Sequence, residues 1–191
     1  MNGCRHVGII VVVHGASELI LCESIRANLR LPIEIISKNK GSNSIQINKL
    51  ETFFLEKNFN KYIFNQSKFQ TENGKLVNTK IFTIMDTDDC NCDTLGRYKC
   101  GSIFSRSPYF NMISPIFNSP DLDSVMEELG YYIDKDQKRK SYGKIFPGEN
   151  GDIKAAETLR DQVSDLSSTN LGIFLDHCIK ESRKNSFNNW R

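Results

Sequence analysis

The stretch Val7-Gly8-Ile9-Ile10-Val11-Val12-Val13 decides the fold class of this chain of 191 residues. It is a continuous apolar run rich in β-branched residues, which is typical of a parallel strand that helices cover on both faces. The next residues, His14-Gly15-Ala16-Ser17-Glu18, turn the chain into a segment with helical apolar spacing, and Ser17 is placed to cap that helix. A strand, a tight turn and a helix in this order predict an α/β protein with a mostly parallel sheet.

Further units of the same kind follow along the chain. Residues 33–37 form a second short strand, which leads through Gly41-Ser42-Asn43-Ser44 into a second predicted helix. A third buried strand, Lys80 to Met85, ends abruptly in Asp86-Thr87-Asp88-Asp89. Met112 to Phe117 is a candidate fourth strand, and the proline within it indicates an edge position or a bulge.

The rest of the chain divides into a hairpin and a helical part. Asn73-Gly74 is a strong hairpin-turn signal between predicted strands at 64–71 and 76–80, so residues 58–79 are interpreted as an elaboration on the sheet. Helical periodicity dominates the C-terminal part, where a charged, glycine-rich loop separates the first two helices. The predicted helices span 121–129, 153–166 and 170–184, and the loop spans 135–151.

Composition indicates a globular chain and excludes several classes of protein. Hydrophobic residues make up 39% and charged residues 25%, and the net charge is only +2, so no overall cationic field indicates nucleic acid. The apolar run at 7–13 is far shorter than the roughly 20 residues of a membrane span and lacks the features of a signal peptide. We therefore expect a cytoplasmic chain without membrane association, whose six cysteines are free thiols or metal ligands.

Asp86, Asp88 and Asp89 form the sharpest chemical signal. If strand geometry continues through them, Asp86 and Asp88 project to one side while Asp89 points away. Two carboxylates on one side repel each other unless a proton or a cation lies between them, and hard oxygen ligands suit Mg²⁺ or Mn²⁺. The alternative is a solvated turn in which the aspartates cap a helix or bend the loop. We interpret the group as a metal site.

Two residues after the first strand would join that site if the first and third strands are neighbours. Glu18 would supply a further carboxylate, although an acidic residue in the first turn of a helix also stabilises the positive end of the helix dipole. His14 is a candidate metal ligand or general base, or it is a hydrogen-bonding strand terminus.

Two further features are candidate contacts for anions and nucleic acid. The backbone N–H groups of Gly41-Ser42-Asn43 at a predicted helix start would form an anion site, with Gly15 in the first turn as a further candidate. Lysines alternate with aromatic residues across positions 57–75, and Lys38 and Lys40 lie nearby. This pattern indicates a stacking surface for single-stranded nucleic acid, or aromatic side chains that pack the hairpin on the core, which we favour.

Cys90, Cys92 and Cys100 are candidate zinc ligands. Their spacing is not one of the common structural zinc patterns, and no second pair of cysteines follows. The chain also lacks a phosphate-binding motif that ends in Gly-Lys-Ser or Gly-Lys-Thr. An ATPase would therefore have to be a partner.

The stretches 14–18, 41–45 and 86–89, in this order, resemble the Toprim domain shared by topoisomerases, primases and the OLD-type and RloB-type nucleases, the OLD-like branch most of all. Members usually carry a Glu-Gly pair at the first turn and a further acidic residue three positions after the glycine. Glu18 matches that later place, whereas His14 stands where the glutamate is expected. The resemblance covers roughly residues 7–118.

The resemblance implies a Toprim-like, Rossmann-like core over residues 1–118, with the hairpin insertion, and a mainly helical extension over 119–191 that packs on the core. It also implies a divalent-metal-dependent nuclease. In that interpretation Asp86 and Asp88 hold Mg²⁺ or Mn²⁺, and Glu18 orients the attacking water or a second ion. His14 would suit Mn²⁺ better than Mg²⁺.

OLD-like nucleases are expected to carry a further acidic residue and a lysine downstream. Asp121 or Asp123 and Lys144 are the candidates here. A lysine at that place would neutralise charge that develops on a phosphate oxygen, although a solvated loop charge is the explanation of Lys144 that we favour.

We expect nucleic acid as the partner, DNA before RNA, and leave open a homo-oligomer and a separate ATPase subunit within an anti-phage defence system. The alternative function is a catalytically degenerate Toprim-like domain that binds nucleic acid, a nucleotide or a protein, and His14 in place of glutamate favours it. Metal-dependent cleavage of nucleic acid, and its loss in Asp88→Ala, would separate the two hypotheses.

Overall fold

The structure, a computed structural model, describes residues 7–64, 66, 68–145 and 153–188. Its centre is a sheet of four parallel strands. The strands of the chain are β1 (Ile9–Val13), β2 (Ile33–Ile36), β3 (Thr71–Glu72), β4 (Lys75–Leu76), β5 (Lys80–Asp86) and β6 (Ile113–Asn118). The central sheet has the order β2-β1-β5-β6, and β3 and β4 form a separate antiparallel hairpin. The predicted α/β class with a parallel sheet is confirmed, and the architecture is compatible with a Rossmann-like fold.

Helices cover both faces of this sheet. The side chains of β1 alternate between two apolar clusters, and all of them are buried, which explains why the run lacks polar residues. The helices that contribute to the first cluster are α1 (Ala16–Leu29), α5 (Leu122–Glu128), α6 (Lys138–Ile145), α7 (Ile153–Ser164) and α8 (Gly172–Asn188). Those that contribute to the second are α2 (Leu50–Leu55), α3 (Lys57–Phe64) and α4 (Cys92–Lys99).

The strand order creates a topological switch point between β1 and β5. From β1 the chain crosses through α1 to β2 on one side, then returns past β1 to β5 and continues through α4 to β6 on the other side. Crossings in opposite directions place α1 and α4 on opposite faces, as right-handed connections require. In open α/β sheets, ligands bind at such a point, outside the carboxyl ends of the strands. The residues that follow β1 and β5 meet there.

Several local predictions are confirmed. The predicted helices at 121–129, 153–166 and 170–184 correspond to α5, α7 and α8, and β6 is an edge strand, as its proline indicates. Asn73 and Gly74 form the predicted hairpin turn, and both have the positive φ that a tight turn of this kind requires. The five cysteines of the described chain are free. Within the described residues, the helices lack the combination of length and apolarity that crossing a bilayer would require.

Three other local predictions are wrong. Residues 57–64 form α3, and the hairpin strands are only two residues long on each side of the turn. The second helix does not follow Ser44 directly, because a short 3₁₀ turn, Ile47–Lys49, precedes α2. Part of the loop predicted at 135–151 is helical and forms α6, and residues 146–151 lie outside the described residues.

Gly41 is a position where the fold requires glycine. Its φ is +83°, and a Cβ added to it would lie 3.1 Å from both Cα of Ala16 and Cδ2 of Leu19. Gly41→Ala is therefore expected to lower the free energy of unfolding by about 1 to 3 kcal/mol, because left-handed strain and steric overlap add. Urea unfolding followed by circular dichroism measures this change.

Gly96→Ala is the matched control for this substitution. Gly96 lies within α4, and no atom lies within 4 Å of its added Cβ. Alanine there should raise the free energy of unfolding by about 0.5 to 1 kcal/mol through helix propensity. A Gly41→Ala protein as stable as the wild type would contradict the expected strain.

Candidate metal centre

His14 is fixed at the point where β1 ends. Its backbone N–H donates to the carbonyl of Ile84 in β5 at 2.9 Å, and its own carbonyl accepts the N–H of Ile45 at 2.9 Å. The imidazole is half-buried, and its Nδ1 is buried without a hydrogen-bond partner among the described residues. Because buried polar atoms are nearly always satisfied, this nitrogen is expected to have a partner such as an ordered water or a bound ion.

Glu18 divides its two carboxylate oxygens between α1 and the site. Gly15 is the N-cap of α1, so the prediction that Ser17 caps this helix is wrong. Oε2 of Glu18 accepts the N–H of Gly15 at 2.9 Å, which is one half of a capping box. Oε1 is buried without a donor, and the side chain lies against Asp86. Burial, and then the charge of Asp86, raise the pKa of Glu18 well above its ordinary range.

Asp86 is the last residue of β5 and is the neighbour of Glu18. Its Oδ1 accepts the N–H of Leu122 at 3.0 Å, at the start of α5. Burial raises the pKa of Asp86 to about 6, although the charge of His14 opposes this rise. Two carboxyl groups in contact in a buried place resist being ionised together, so they share either a proton or a cation.

Asp88 and Asp89 gather around His14 beyond the end of β5. One ligand atom from each of these three residues lies within 4.8 Å of the others. Burial raises the pKa of Asp89, whereas the charge of His14 and a hydrogen bond from the side chain of Gln46 lower it. Oδ1 of Asp89 is buried without a partner among the described residues, and Asp88 is exposed.

The expectation that Asp89 points away from Asp88 is wrong. Strand geometry ends at Asp86, because the N–H of Thr87 donates both to the carbonyl of Asn118, the last residue of β6, and to that of Pro120 beyond it. The alternation of side chains therefore stops one residue before the two aspartates. Both of them turn toward His14 instead.

These side chains fit a divalent cation. Among the described residues, four buried polar atoms without partners lie at this end of the sheet. They are His14 Nδ1, Glu18 Oε1, Asp89 Oδ1 and Asn118 Nδ2 at the end of β6, and the last is an amide donor that does not suit a cation. An imidazole together with carboxylates suits Mn²⁺ better than Mg²⁺, which prefers oxygen ligands. Of the predicted ligands Glu18, Asp86 and Asp88, only Asp88 belongs to the group in mutual reach, which His14 and Asp89 complete, and Glu18 and Asp86 form a separate pair beside it.

The glycine turn does not form the predicted anion site. The N–H groups of Gly41 and Asn43 donate to the carbonyl of Lys38, and the N–H of Ser42 donates to the carbonyl of residue 39. The N–H of Gly15 is likewise used by Glu18. Because all four amides already have acceptors, they are not available to a phosphate or another anion.

Lys138, rather than Lys144, is the lysine that α6 brings to the start of α1. Its Nζ lies 2.8 Å from Oγ of Ser17 and 2.6 Å from Oδ2 of Asp123. The hydroxyl of Tyr142 donates to the other oxygen of Asp123 at 2.8 Å. Burial opposes ionisation of Asp123, but these hydrogen bonds outweigh it and lower its pKa. Lys144 is exposed in the last turn of α6.

Sequence reasoning included Asp89 in the acidic cluster but expected it to point away, and it did not identify Lys138 or Gln46 as members of this region. The spacing of Lys138, Tyr142 and Ile145 is that of one helix face, and it was the available signal for α6. No comparable signal marks Gln46. Asp121, the other acidic candidate, caps α5 by accepting the N–H of residue 124 at 2.7 Å.

The cysteines do not assemble into the alternative zinc site. Cys92 and Cys100 are exposed and Cys90 is half-buried. Within the part of the chain that the structure describes, the group of three potential ligand side chains in mutual reach is His14, Asp88 and Asp89, and it contains no cysteine.

Comparisons of this chain with protein-family models, with curated proteins and with solved structures gave no match. The geometry and the chemistry of its side chains are therefore the basis for assigning a function.

Proposed function

We propose that this protein is a divalent-metal-dependent nuclease that cleaves phosphodiester bonds, with Mn²⁺ as its preferred ion. The observation that carries the proposal is the group of His14, Asp88 and Asp89, whose ligand atoms lie within 4.8 Å of one another and in which His14 Nδ1 and Asp89 Oδ1 are buried without a partner among the described residues. Each unsatisfied buried group costs about 1–3 kcal/mol, and a bound cation would remove this cost. The atoms lie at the ends of β1 and β5, where this kind of sheet places ligands.

The side chains divide into two sets with different tasks. His14, Asp88 and Asp89 would hold the ion, which when bound would activate a water and neutralise charge on the phosphate. Glu18 and Asp86 would hold a shared proton or contact a second ion. A pKa of about 6 allows Asp86 to accept and return a proton near neutral pH, which is what a general base requires.

The choice of a phosphodiester bond is supported by the likeness to Toprim nucleases. Two of the stretches that carry the likeness, 14–18 and 86–89, follow neighbouring strands of the sheet. A nuclease site of that type would need these two stretches to lie close together, and neighbouring strands bring them together. Lys138 is paired with Asp123 and contacts Ser17 at the start of α1. It would therefore take the phosphate-contacting role expected of Lys144.

The test is cleavage of labelled single-stranded DNA, duplex DNA and RNA by metal-free protein to which Mn²⁺, Mg²⁺ or EDTA is added. We expect cleavage with Mn²⁺, weaker cleavage with Mg²⁺ and none with EDTA. Absence of cleavage, together with a melting temperature that ignores Mn²⁺, would overturn the proposal and favour the degenerate binding domain.

His14→Glu is expected to reverse the metal preference. The new carboxylate offers a hard oxygen where the imidazole now lies, so the ratio of Mg²⁺-supported to Mn²⁺-supported cleavage should rise by about tenfold or more. His14→Gln removes the nitrogen without adding charge, and it should lose activity with Mn²⁺ and gain none with Mg²⁺. Steady-state cleavage with each ion measures the ratio, and an unchanged ratio in His14→Glu would identify the histidine as structural.

A further inference from the structure

A groove runs along β2, the strand at one free edge of the sheet. It consists of two cavities of about 470 and 350 Å³. Both cavities have Ile36, Ser37, Phe53 and Glu56 in their walls, so they are adjacent sections of one depression. Its walls are partly apolar, because Ile45 and the ring of Phe53 contribute to them.

The groove is cationic at its rim. Lys38 and Lys49 line the first cavity, Lys40 lines the second, and Glu56 is the acidic residue of both. Among the described residues, none of these three lysines takes part in an ion pair. Unpaired lysines along an apolar groove complement a ligand that carries both phosphates and flat apolar rings.

Two aromatic side chains offer stacking surfaces in this groove. Phe53 lines both cavities, and its ring is held at centroid distances of 5.3 Å from Phe54 and 5.2 Å from Phe59. Tyr62 lines the second cavity and is 38% exposed. The neighbouring aromatic Phe59 is buried, so it belongs to the core, as the packing interpretation of this segment predicts.

Gln46 connects the groove to the metal centre. It lines the first cavity, and its side chain lies close enough to the carboxylate of Asp89 to lower the pKa of that group. A ligand in the first cavity would thus lie one side chain away from the group formed by His14, Asp88 and Asp89.

We infer that this groove binds single-stranded nucleic acid and leads it to the metal centre. The inference rests on the proposed function, because it names the substrate class of the same site. Bases reach an aromatic ring and an apolar wall only when they are unpaired and splayed out, whereas a duplex hides their faces. The lysines contact the backbone phosphates, and Phe53 stacks on a base.

The experiment measures binding without cleavage, by fluorescence anisotropy in EDTA with labelled oligo(dT), oligo(rU) and a hairpin duplex. Lys38→Gln/Lys49→Gln should weaken binding of the single strand about tenfold at low salt. It should also reduce the slope of log affinity against log salt by about 1.4, since each phosphate contact to a single strand contributes about 0.7. Lys140→Gln/Lys180→Gln, which removes two exposed lysines elsewhere, is the matched control and should bind within about twofold of the wild type.

A second variant tests stacking independently of charge. Phe53→Leu should weaken binding of oligo(dT) by about tenfold or more and leave binding of an abasic oligonucleotide unchanged. Its melting temperature, measured in parallel, separates lost stacking from lost folding. Tighter binding of oligo(dT) would identify the strand as DNA, and tighter binding of oligo(rU) would identify it as RNA.

The outcomes separate this inference from the proposed function. The inference that the groove binds a single strand would be overturned if binding is weakened equally in the groove variant and in its control. It would also be overturned if a duplex binds as tightly as the single strand. Mn²⁺-dependent cleavage that Lys38→Gln/Lys49→Gln leaves unchanged would overturn it too while the nuclease stands. Binding in EDTA that depends on the groove, in a protein that never cleaves, would refute the nuclease but not the groove.

Discussion

Asp88→Asn is expected to lose Mn²⁺-dependent cleavage by at least about a hundredfold while folding as well as the wild type. The side chain is exposed, so its replacement disturbs no packing, but it removes one charged donor from the group around His14. Metal contributions of several kcal/mol to transition-state stabilisation correspond to rate losses of this size. Single-turnover cleavage with saturating Mn²⁺ measures the loss.

Asp89→Asn should lose activity to a similar extent. Continued strand alternation would make this residue dispensable, whereas the observed turn places it within reach of His14 and Asp88. Asp93→Asn is the matched control, since Asp93 is an exposed carboxylate in the first turn of α4. Full activity in Asp89→Asn, or an equal loss in Asp93→Asn, would contradict the centre described here.

Without metal, Asp86→Asn is expected to be more stable than the wild type at pH 7.5, by about 1 to 3 kcal/mol. Burial raises the pKa of Asp86 from its ordinary value of 3.8 to about 6, so its ionised form costs free energy in the folded state. A raised folded-state pKa means that the contribution of this group to stability is present below about pH 4 and is lost as the pH rises through 6. Asparagine does not ionise, and its oxygen can still accept the N–H of Leu122.

Mn²⁺ should reverse this order of stability. An ion that binds only the folded protein stabilises the wild type by about 2.7 kcal/mol when its free concentration is a hundredfold above Kd, which is a rise of about 5 to 10 °C in Tm. Asp86→Asn should lose the part of this gain that a second ion at Glu18 and Asp86 contributes. Differential scanning fluorimetry in EDTA and in Mn²⁺, from pH 5 to 8, measures both effects.

Asp165→Asn is the control for this experiment, because Asp165 is exposed just after α7. It should melt like the wild type in EDTA and keep the full response to Mn²⁺. If Asp86→Asn melts lower than the wild type in EDTA and neither protein responds to Mn²⁺, Asp86 serves only to hold α5 through Leu122, and the metal centre is refuted.

The elements that were predicted from sequence are those whose burial leaves a simple pattern. β1 and β5 are buried on both faces, so each is a nearly unbroken apolar run. α8 shows apolar residues at helical spacing over several turns. By contrast, α4 buries only one large side chain, Tyr98, so its sequence lacks an apolar periodicity. α3 is only eight residues long, and Phe59 and Ile63 are the pair that the helix buries, so its apolar pattern is too short to identify a helix.

For the site, the sequence predicts which strand ends converge but not how the chain turns beyond them. Neighbouring parallel strands bring residues 14–18 and 86–89 together, and this follows from topology alone. The orientation of Asp89 depends on where Thr87 finds its acceptors, which are carbonyl groups more than thirty residues further along the chain. The choice of Lys138 over Lys144 likewise depends on a contact with α1 that has no local sequence signature.

The register of β1 against β5 also bears on folding kinetics. The backbone of His14 is hydrogen-bonded to Ile84 across this pair. Residues 14–18 and 86–89 therefore come together only after two strands that are far apart in the chain have paired. Contacts of such long range form slowly, because the closure of a large loop precedes them. Uptake of free Mn²⁺ during refolding, followed by electron paramagnetic resonance, would therefore report the formation of this one strand pair separately from the collapse of the helices around it.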